Sequence, residues 1–110
     1  MSSRWSDVID LISIDEENEV INENGYPVPA ETRRENIFCN KKDVRSAEFY
    51  QAAAQNIRLE MMLEMHSVDY QGEEYLFFHR DQSRYFIERT YDRGEKIELV
   101  CRKDGDRHAG

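Results

Sequence analysis

The sequence predicts a mainly β fold, a small antiparallel β-barrel of about six strands with one short helix inserted between strands. Short apolar runs that alternate with polar residues indicate strands, and turns rich in Gly, Asn and Asp separate them. The segment EFYQAAAQ, residues 48–55, indicates the helix because it is rich in alanine and other good helix formers. The chain of 110 residues is too short for two full sheets, so we expect its single sheet to curl and close.

The first third of the chain predicts two strands joined by loops. Residues 7–14 form an apolar, β-branched run that predicts the first strand, and the acidic residues 15–19 are predicted to be a solvated loop. Residues 24–29 predict a turn or loop, because Gly25 admits positive φ and proline lacks a backbone donor. The second strand is predicted over residues 33–40 and runs on towards Val44.

The middle of the chain predicts a short helix, with Ser46 as its N-cap, followed by a long strand. Helix propensity alone would extend the helix from Ser46 to about His66. Against this, residues 58–65 alternate with the period of two that a half-buried strand shows. One face of that strand would hold Leu59, Met61, Leu63 and Met65. We favour the strand because tertiary context overrides propensity, but helix and strand both stay open for residues 57–66.

The last third predicts three more strands in an antiparallel meander. Turns are expected at residues 71–72, 81–83 and 92–95, and strands at residues 74–79, at residues 84–91 and around Ile97, Leu99 and Cys101. Residues 1–103 are predicted to form the single barrel domain. Residues 104–110 are predicted to be a polar, flexible tail.

The composition limits the functions that the chain can have. Its 23 acidic and 15 basic residues give a net charge of −8, which disfavours binding to duplex DNA through phosphate contacts. The N-terminus has no apolar signal region, and no run approaches the roughly 18 apolar residues of a membrane span, so we expect synthesis and folding in a cytoplasm. Cys39 and Cys101 are each predicted to be a small buried hydrophobe in a reducing compartment.

No catalytic or metal-binding signature stands out, and we predict that the chain is not an enzyme and needs no cofactor or metal. The acidic run fails the pattern of a calcium-binding loop, because Val20 stands where glycine is needed and Tyr26 where glutamate is needed. The three histidines, His66, His79 and His108, lie in separate predicted elements without a paired ligand spacing.

Two aromatic stripes leave a binding function open. Tyr75 with Phe77, and Tyr85 with Ile87 and Tyr91, could stack on the bases of single-stranded nucleic acid. We favour a barrel core with tyrosines at its rim. A nucleic-acid groove would also need a net basic surface, and nearby acids offset the arginines of this region, which are Arg80, Arg84, Arg89 and Arg93.

Five collinear segments carry a resemblance to a known family. They are DVIDLIS, YPVPAETRRENIFCNKKDV, RSAEFYQAAAQNIRLE, VDYQGEEYLFFH and RYFIERTYDRGEKIELVCRK. The most telling parts are Ser46-x-Glu48-Phe49-Tyr50-x-Ala52, Asp69-Tyr70-x-Gly72-Glu73, and Arg89-Thr90-Tyr91 followed by Ile97-Glu98-Leu99-x-Cys101. In order and spacing these segments, within residues 6–103, resemble the head–tail joining proteins (head closure, stopper or head–tail adaptor proteins) of long-tailed bacteriophages and prophages.

The resemblance implies a structural virion protein with an antiparallel β-barrel and a short helical or loop insertion. Members of the family form a ring, usually of twelve copies, below the portal and adaptor rings. The ring completes the head after DNA packaging, docks the tail and in some members closes the DNA channel. The implied partners are other copies of the chain, the portal–adaptor protein above and the tail completion or terminator protein below. Assembly would take place in the host cytoplasm, and DNA would pass through the channel without sequence-specific binding.

In family members that gate the channel, the segment before the third strand projects inward, and residues 45–57 correspond to it. The candidate interface or channel-facing residues are Ser46, Glu48, Phe49, Tyr50, Gln51, Ala52, Ala53, Ala54 and Gln55. Phe49 and Tyr50 are predicted to anchor the helix. As an alternative to the interface role, Phe49, Tyr50 and Ala53 would only cap the open end of the barrel, and the two roles can coexist on different faces of the helix. The face predicted to meet a neighbour holds Glu48, Gln51 and Gln55. The segment is short and lacks glycine, which favours a connector over a plug. The alternative is a monomeric module that binds a host factor or single-stranded nucleic acid.

Overall fold

The computed structural model describes residues 5–103 and confirms the predicted fold class, since six antiparallel strands form one sheet that closes on itself, with one α-helix between strands. The elements in chain order are β1 (Asp7–Ile21), β2 (Pro27–Lys42), α1 (Ser46–Ala53), β3 (Met61–His66), β4 (Tyr75–Phe78), β5 (Ser83–Asp92) and β6 (Lys96–Lys103). A 3-10 turn at Ser67–Asp69 follows β3. The tail predicted at residues 104–110 lies outside the described residues.

Two three-stranded meanders build the closed sheet, whose strand order is β1–β2–β3–β6–β5–β4. The last three strands form the predicted meander. β3 and β4 follow each other in sequence but are not neighbours in the sheet. Instead β3 pairs with β6, where Met61 lies opposite Cys101, and β1 pairs with β4, where Ile9 lies opposite Phe78. These two pairings join the meanders on both sides.

Alternate side chains of the strands fill the interior of the closed sheet. On β3 the buried side chains that point inside are Met61, Leu63 and Met65. The strand is therefore confirmed from Met61 onward, and full burial of each such side chain contributes about 1.5–3 kcal/mol. Cys39 and Cys101 are free and buried in the same interior, as predicted. Leu59, predicted on the same face of the strand as Met61, lies before the strand and packs instead with Ala52 and Met62 outside the barrel interior.

The far ends of β1 and β2 form a two-stranded arm that leaves the barrel. β1 pairs with β4 no further than Ile12, and β2 pairs with β3 only from Cys39 onward. Within the described chain, residues 13–32 therefore pair only with each other, and we call them the arm. A turn at residues 22–26 closes its tip.

Two loop predictions fail in this arm. The acidic residues 15–19 belong to β1, where a register shift between Asp15 and Glu19 absorbs the mismatch in length. Of these five residues only Asp15 and Glu19 pair with β2, opposite Ala30 and Pro29, and residues 16–18 form an exposed bulge between the two pairs. Residues 27–29 begin β2 instead of extending the turn. Pro27 and Pro29 are tolerated there because one edge of the strand has no partner.

Asp10 fixes the base of the arm where it joins the barrel. Asn36, at a positive φ of 63°, donates its N–H to Asp10 Oδ1 at 3.1 Å, and Arg33 Nε donates to Oδ2 at 3.1 Å. His79 Nε2 lies 2.7 Å from Oδ1. Burial opposes ionisation of Asp10, but the hydrogen bonds of His79 and Asn36 and the charge of Arg33 hold its pKa below the ordinary value.

Candidate functional site

Helix α1 lies against the outer face of β3 and β6 and does not enter the barrel. Ala52 is buried in a small apolar cluster with Leu59, Met62 and Val100, separate from the barrel interior. The prediction that α1 caps the open end of the barrel is therefore wrong. Met62 and Val100 form an apolar patch on the outside of the sheet, and α1 shields this patch from solvent through Ala52. Alanine at position 52 lets the helix backbone approach that patch closely.

A buried carboxylate, Glu48, holds the first turn of α1 to the sheet. Its side chain is 7% exposed and accepts a hydrogen bond from the Tyr91 hydroxyl at 2.6 Å. The guanidinium groups of Arg45 and Arg89 lie 3.8 and 3.7 Å from Glu48. Glu48 was predicted to face a neighbouring subunit, and this is wrong because Tyr91 and the two arginines take up its carboxylate.

Glu98 on β6 forms a second anchor beside the helix. It accepts hydrogen bonds from Arg45 at 2.8 Å and Arg93 at 3.2 Å, and Lys42 Nζ lies 3.6 Å away. Burial raises the pKa of Glu98, but the two arginine hydrogen bonds outweigh burial and leave the pKa below its ordinary value. No local pattern predicts the Arg45–Glu98 pair, because the two residues are 53 positions apart.

The N-terminus of α1 also differs from the prediction. Ser46 is the first helical residue, and the capping position is Arg45, which makes no side-chain cap hydrogen bond. Arg45 instead directs its guanidinium to Glu98. Ion pairs to the sheet therefore fix the helix start in place of the local side-chain cap that the sequence suggested.

The opposite side of α1 is exposed and partly apolar. Phe49 and Tyr50 are 36% and 70% exposed, with their rings edge-on at 5.7 Å. They do not anchor the helix, contrary to prediction. A cavity of about 320 Å³ lies beside them and is lined by Phe49, Ala53, Asn56, Ile57 and Arg58. We call this cavity the α1 pocket. The remaining predicted interface residues, all exposed, are Ser46, Gln51, Ala54 and Gln55.

The predicted aromatic stripes lie on two different faces. Tyr85 and Ile87 are in the barrel interior, as expected for a core. Tyr91, predicted in the same stripe, packs instead against the cluster beneath α1, after the register shift between Ile87 and Arg89. Tyr75 and Phe77 lie outside, because the alternation of β4 buries its other residues. Arg84 covers the Tyr75 ring at 4.6 Å, so that face is already occupied within the chain.

The arginines named as offset by acids are each paired, as predicted. Arg80 pairs with Asp7 at 2.6 Å and Arg84 with Glu31 at 3.1 Å. Arg89 and Arg93 pair with the two buried carboxylates near α1. The outer face of β4 and β5 therefore lacks the unpaired cations that a groove for single-stranded nucleic acid would use.

The histidines are separated in space as well as in sequence. The His66 ring packs on Trp5 at 4.6 Å, and His79 contacts Asp10 at the base of the arm. His108 lies outside the described residues. Within residues 5–103, no three His, Cys, Asp or Glu side chains are grouped so that they could hold a metal ion.

No protein-family model matches the sequence, and no curated protein matches it. In the described part of the chain no helix has the length and apolar character needed to cross a membrane.

Proposed function

We propose that this chain is a structural subunit of the head–tail connector of a long-tailed bacteriophage or prophage. In this role, copies of it form a ring below the portal and adaptor, complete the head after DNA packaging and dock the tail. The proposal starts from the resemblance over residues 6–103. The observation that supports it best is an external helix that is fixed to the barrel on one side and leaves Phe49, Tyr50 and Ala53 exposed on the other.

A ring subunit needs a stiff body and projecting contact elements. The closed sheet provides the body, because each of its six strands has a partner on both sides within the barrel. Helix α1 and the arm project from that body. We propose that they contact neighbouring subunits, the portal–adaptor protein and the tail completion protein. A surplus of acidic residues, with a net charge of −8, suits a channel through which DNA slides without binding.

We propose a fixed connector in preference to a moving plug. The segment that would gate the channel contains α1, and α1 is tied to the sheet by Glu48–Tyr91 and Arg45–Glu98 hydrogen bonds. Releasing the helix would expose Glu48, Glu98 and the apolar patch at Met62 together. Such a release costs more than the opening of an unattached loop.

The single-strand-binding alternative has less support. It needs free aromatic faces and unpaired cations, whereas Arg33 lies over the Phe77 ring at 4.9 Å and pairs with Asp10. Arg102 likewise lies over the Phe86 ring at 4.6 Å and pairs with Glu88. A monomeric module that binds a host factor would use the same exposed face of α1, and the experiment below separates the two roles.

The direct test is addition of the purified protein to purified portal–adaptor connectors, followed by sedimentation. We expect the wild-type chain to co-sediment as a ring, and Ala53→Arg to remain folded but to add poorly. Val68→Ser is the matched control, because Val68 is 87% exposed and lies away from α1. Failure of the wild-type chain to bind the connector would overturn the proposal. Tight, salt-sensitive binding to a single-stranded oligonucleotide would replace it with the alternative.

A further inference from the structure

The arm concentrates the negative charge of the molecule. It has six acidic residues and no basic one, namely Asp15, Glu16, Glu17, Glu19, Glu23 and Glu31. Of these, Glu31 pairs with Arg84 on the barrel, while the other five form no ion pair with a described residue. The arm is therefore an acidic shaft that extends into solvent.

Three exposed apolar side chains flank the polar turn at the tip of the arm, and hydrogen bonds hold the backbone of this turn. Val20, Ile21 and Tyr26 are 51%, 68% and 66% exposed. The Asn22 side chain accepts the N–H of Tyr26 at 2.9 Å, and the Asn22 N–H donates to the Tyr26 carbonyl at 2.9 Å. Gly25, at a φ of 84°, completes the turn. An exposed tyrosine on a hydrogen-bonded turn, with exposed aliphatic side chains on the same tip, is typical of an interface anchor, because little backbone entropy is lost on binding.

The opposite end of β2 presents the complementary surface. β2 begins at the tip with Pro27 and ends at Lys42, four residues before α1, in a molecule 50 Å long. The α1 pocket lies at this end and is lined by Phe49, Ala53 and Ile57, with Arg58 at its edge. No tip residue lines the α1 pocket, so the tip of a chain does not occupy the pocket of the same chain.

The surface around α1 carries exposed cations over buried carboxylates, together with two exposed acids, Asp43 and Glu60, of which Glu60 pairs with Arg58 at 3.3 Å. Four cations surround three buried or nearly buried carboxylates. The side chains of the cations are 42–57% exposed, whereas those of the carboxylates are only 3–16% exposed. The cations are Lys42, Arg45, Arg89 and Arg93, and the carboxylates are Glu48, Glu64 and Glu98. In these ion pairs the positive charge faces outward while the negative charge is covered, which complements the acidic arm.

We propose that the arm tip of one copy docks in the α1 pocket of the next copy, with the acidic shaft beside the exposed cations around α1. Because the two surfaces lie at opposite ends of β2, the contact is heterologous and joins copies head to tail. The inference rests on the proposed function in one respect: a connector ring forms when copies joined head to tail close into a circle. It assigns the contact between subunits to Tyr26 and the α1 pocket.

Pairing between the edges of two arms is the less favourable contact. Pro27 and Pro29 remove donors from β2, and the register shift between Asp15 and Glu19 distorts β1. Five carboxylates on each arm would also repel one another. The tip–pocket contact avoids all three obstacles and buries apolar side chains.

Sedimentation of the purified chain tests the contact in solution. A single tip in a single pocket is a small interface, so we expect association to be weak and to need protein concentrations approaching about 1 mM at low salt. Oligomers larger than dimers should form and should dissociate between about 50 and about 500 mM salt, because exposed opposite charges are screened. A chain that stays monomeric throughout this range would overturn the inference.

Complementary variants identify the surfaces. Tyr26→Ser and Ala53→Arg should each raise the dissociation constant by at least about tenfold, while Val68→Ser should match the wild type. A mixture of the two defective variants retains one intact contact per pair, Tyr26 of one chain with the α1 pocket of the other. The mixture should therefore form dimers and nothing larger. Unchanged association of Tyr26→Ser, or no dimer in the mixture, would overturn the inference.

The two proposals fail separately. If the wild-type chain and Tyr26→Ser both add to portal–adaptor connectors equally well, the connector role stands and the tip–pocket contact is rejected. If the chain associates head to tail but does not add to connectors, the contact stands and the phage role is rejected.

Discussion

Tyr91 on β5 donates its hydroxyl hydrogen bond to the Glu48 carboxylate on α1 at 2.6 Å, across 43 positions of sequence. This bond, together with the Arg45–Glu98 pair, attaches the helix to the outside of the barrel. A helix of 8 residues is too short to be stable alone in water. Its conformation and its position therefore both depend on these contacts with the sheet.

Removing the Tyr91 hydroxyl should loosen α1 without unfolding the barrel. Tyr91→Phe leaves the buried Glu48 carboxylate without its shortest hydrogen bond, so we expect a loss of about 1–2 kcal/mol in the free energy of unfolding. Amide hydrogen exchange should rise in α1 more than in β3. Tyr50→Phe, at an exposed position of the same helix, is the control and should change stability by less than about 0.5 kcal/mol. Equal stability of the two variants would contradict the anchoring role of Tyr91.

Neighbouring alanines should respond in opposite ways to the same substitution. Ala52 is 2% exposed and packs on Met62 and Val100, whereas Ala53 faces solvent. Ala52→Arg should detach or unfold the helix at a cost of more than about 3 kcal/mol, because a charged side chain cannot fit that contact. Ala53→Arg should stay within about 0.5 kcal/mol of the wild type. Chemical denaturation measures both, and a reversed order would mean that α1 presents its other face to the sheet.

Acid should destabilise the protein in a window set by Glu98 and Asp10. Their ordinary pKa values are 4.5 and 3.8, and both are lowered in the folded chain. The unfolded chain then binds more protons, so the stability from these groups is complete above the ordinary values and is lost as the pH falls through the lower folded values. The free energy of unfolding should therefore decline from about pH 4.5 downward.

Glu98→Gln should remove part of that decline. At neutral pH we expect a loss of about 1–3 kcal/mol, less than for a fully buried pair because Arg45, Arg93 and Lys42 reach solvent. The acid limb of the stability curve should become shallower. Glu16→Gln, an exposed change on the arm, should leave the curve as it is. A parallel curve for Glu98→Gln would show that Glu98 does not contribute to the acid response.

The two thiols should be unreactive in the folded protein. Burial raises the pKa of Cys39 to about 12 and raises that of Cys101 further above its ordinary value. The thiolate is the reactive form, so alkylation at pH 8 should proceed only as fast as the protein opens. As the comparison, alkylation of both thiols in denaturant should be complete within the mixing period. Rapid labelling of either thiol in the native protein would contradict its burial in the barrel interior.

Residue patterns were sufficient to predict the number and order of the strands and the helix, but not the full extent of β1 and β2. Alternation on β3 identified Met61, Leu63 and Met65 as one buried face, and the turn at residues 92–95 separated β5 from β6. These are local signals, because the side-chain period and the turn residues lie within a few positions of one another. The signal that predicts α1 is equally local, since alanine and glutamine are good helix formers, whereas its stability depends on the contacts with the sheet.

The tertiary structure decided which face of α1 is buried and how far β1 and β2 extend. Sequence reasoning assigned Phe49 and Tyr50 to the buried side because they are large and apolar, but the site offered by Met62 and Val100 admits only a small residue, and Ala52 occupies it. Glu48 is buried because Tyr91 reaches it from a strand far along the chain.

The arm illustrates the same limit. Five consecutive residues, 15–19, contain four carboxylates and no apolar side chain, which is the composition of a loop. They lie within β1 because Asp15 and Glu19 pair with Ala30 and Pro29 of β2, and residues 16–18 bulge between these two pairs. The backbone pairing on either side of the bulge is independent of side-chain polarity. Local composition thus determined which segments are apolar or charged, whereas pairing between distant segments determined where each one lies and which of its faces remains exposed.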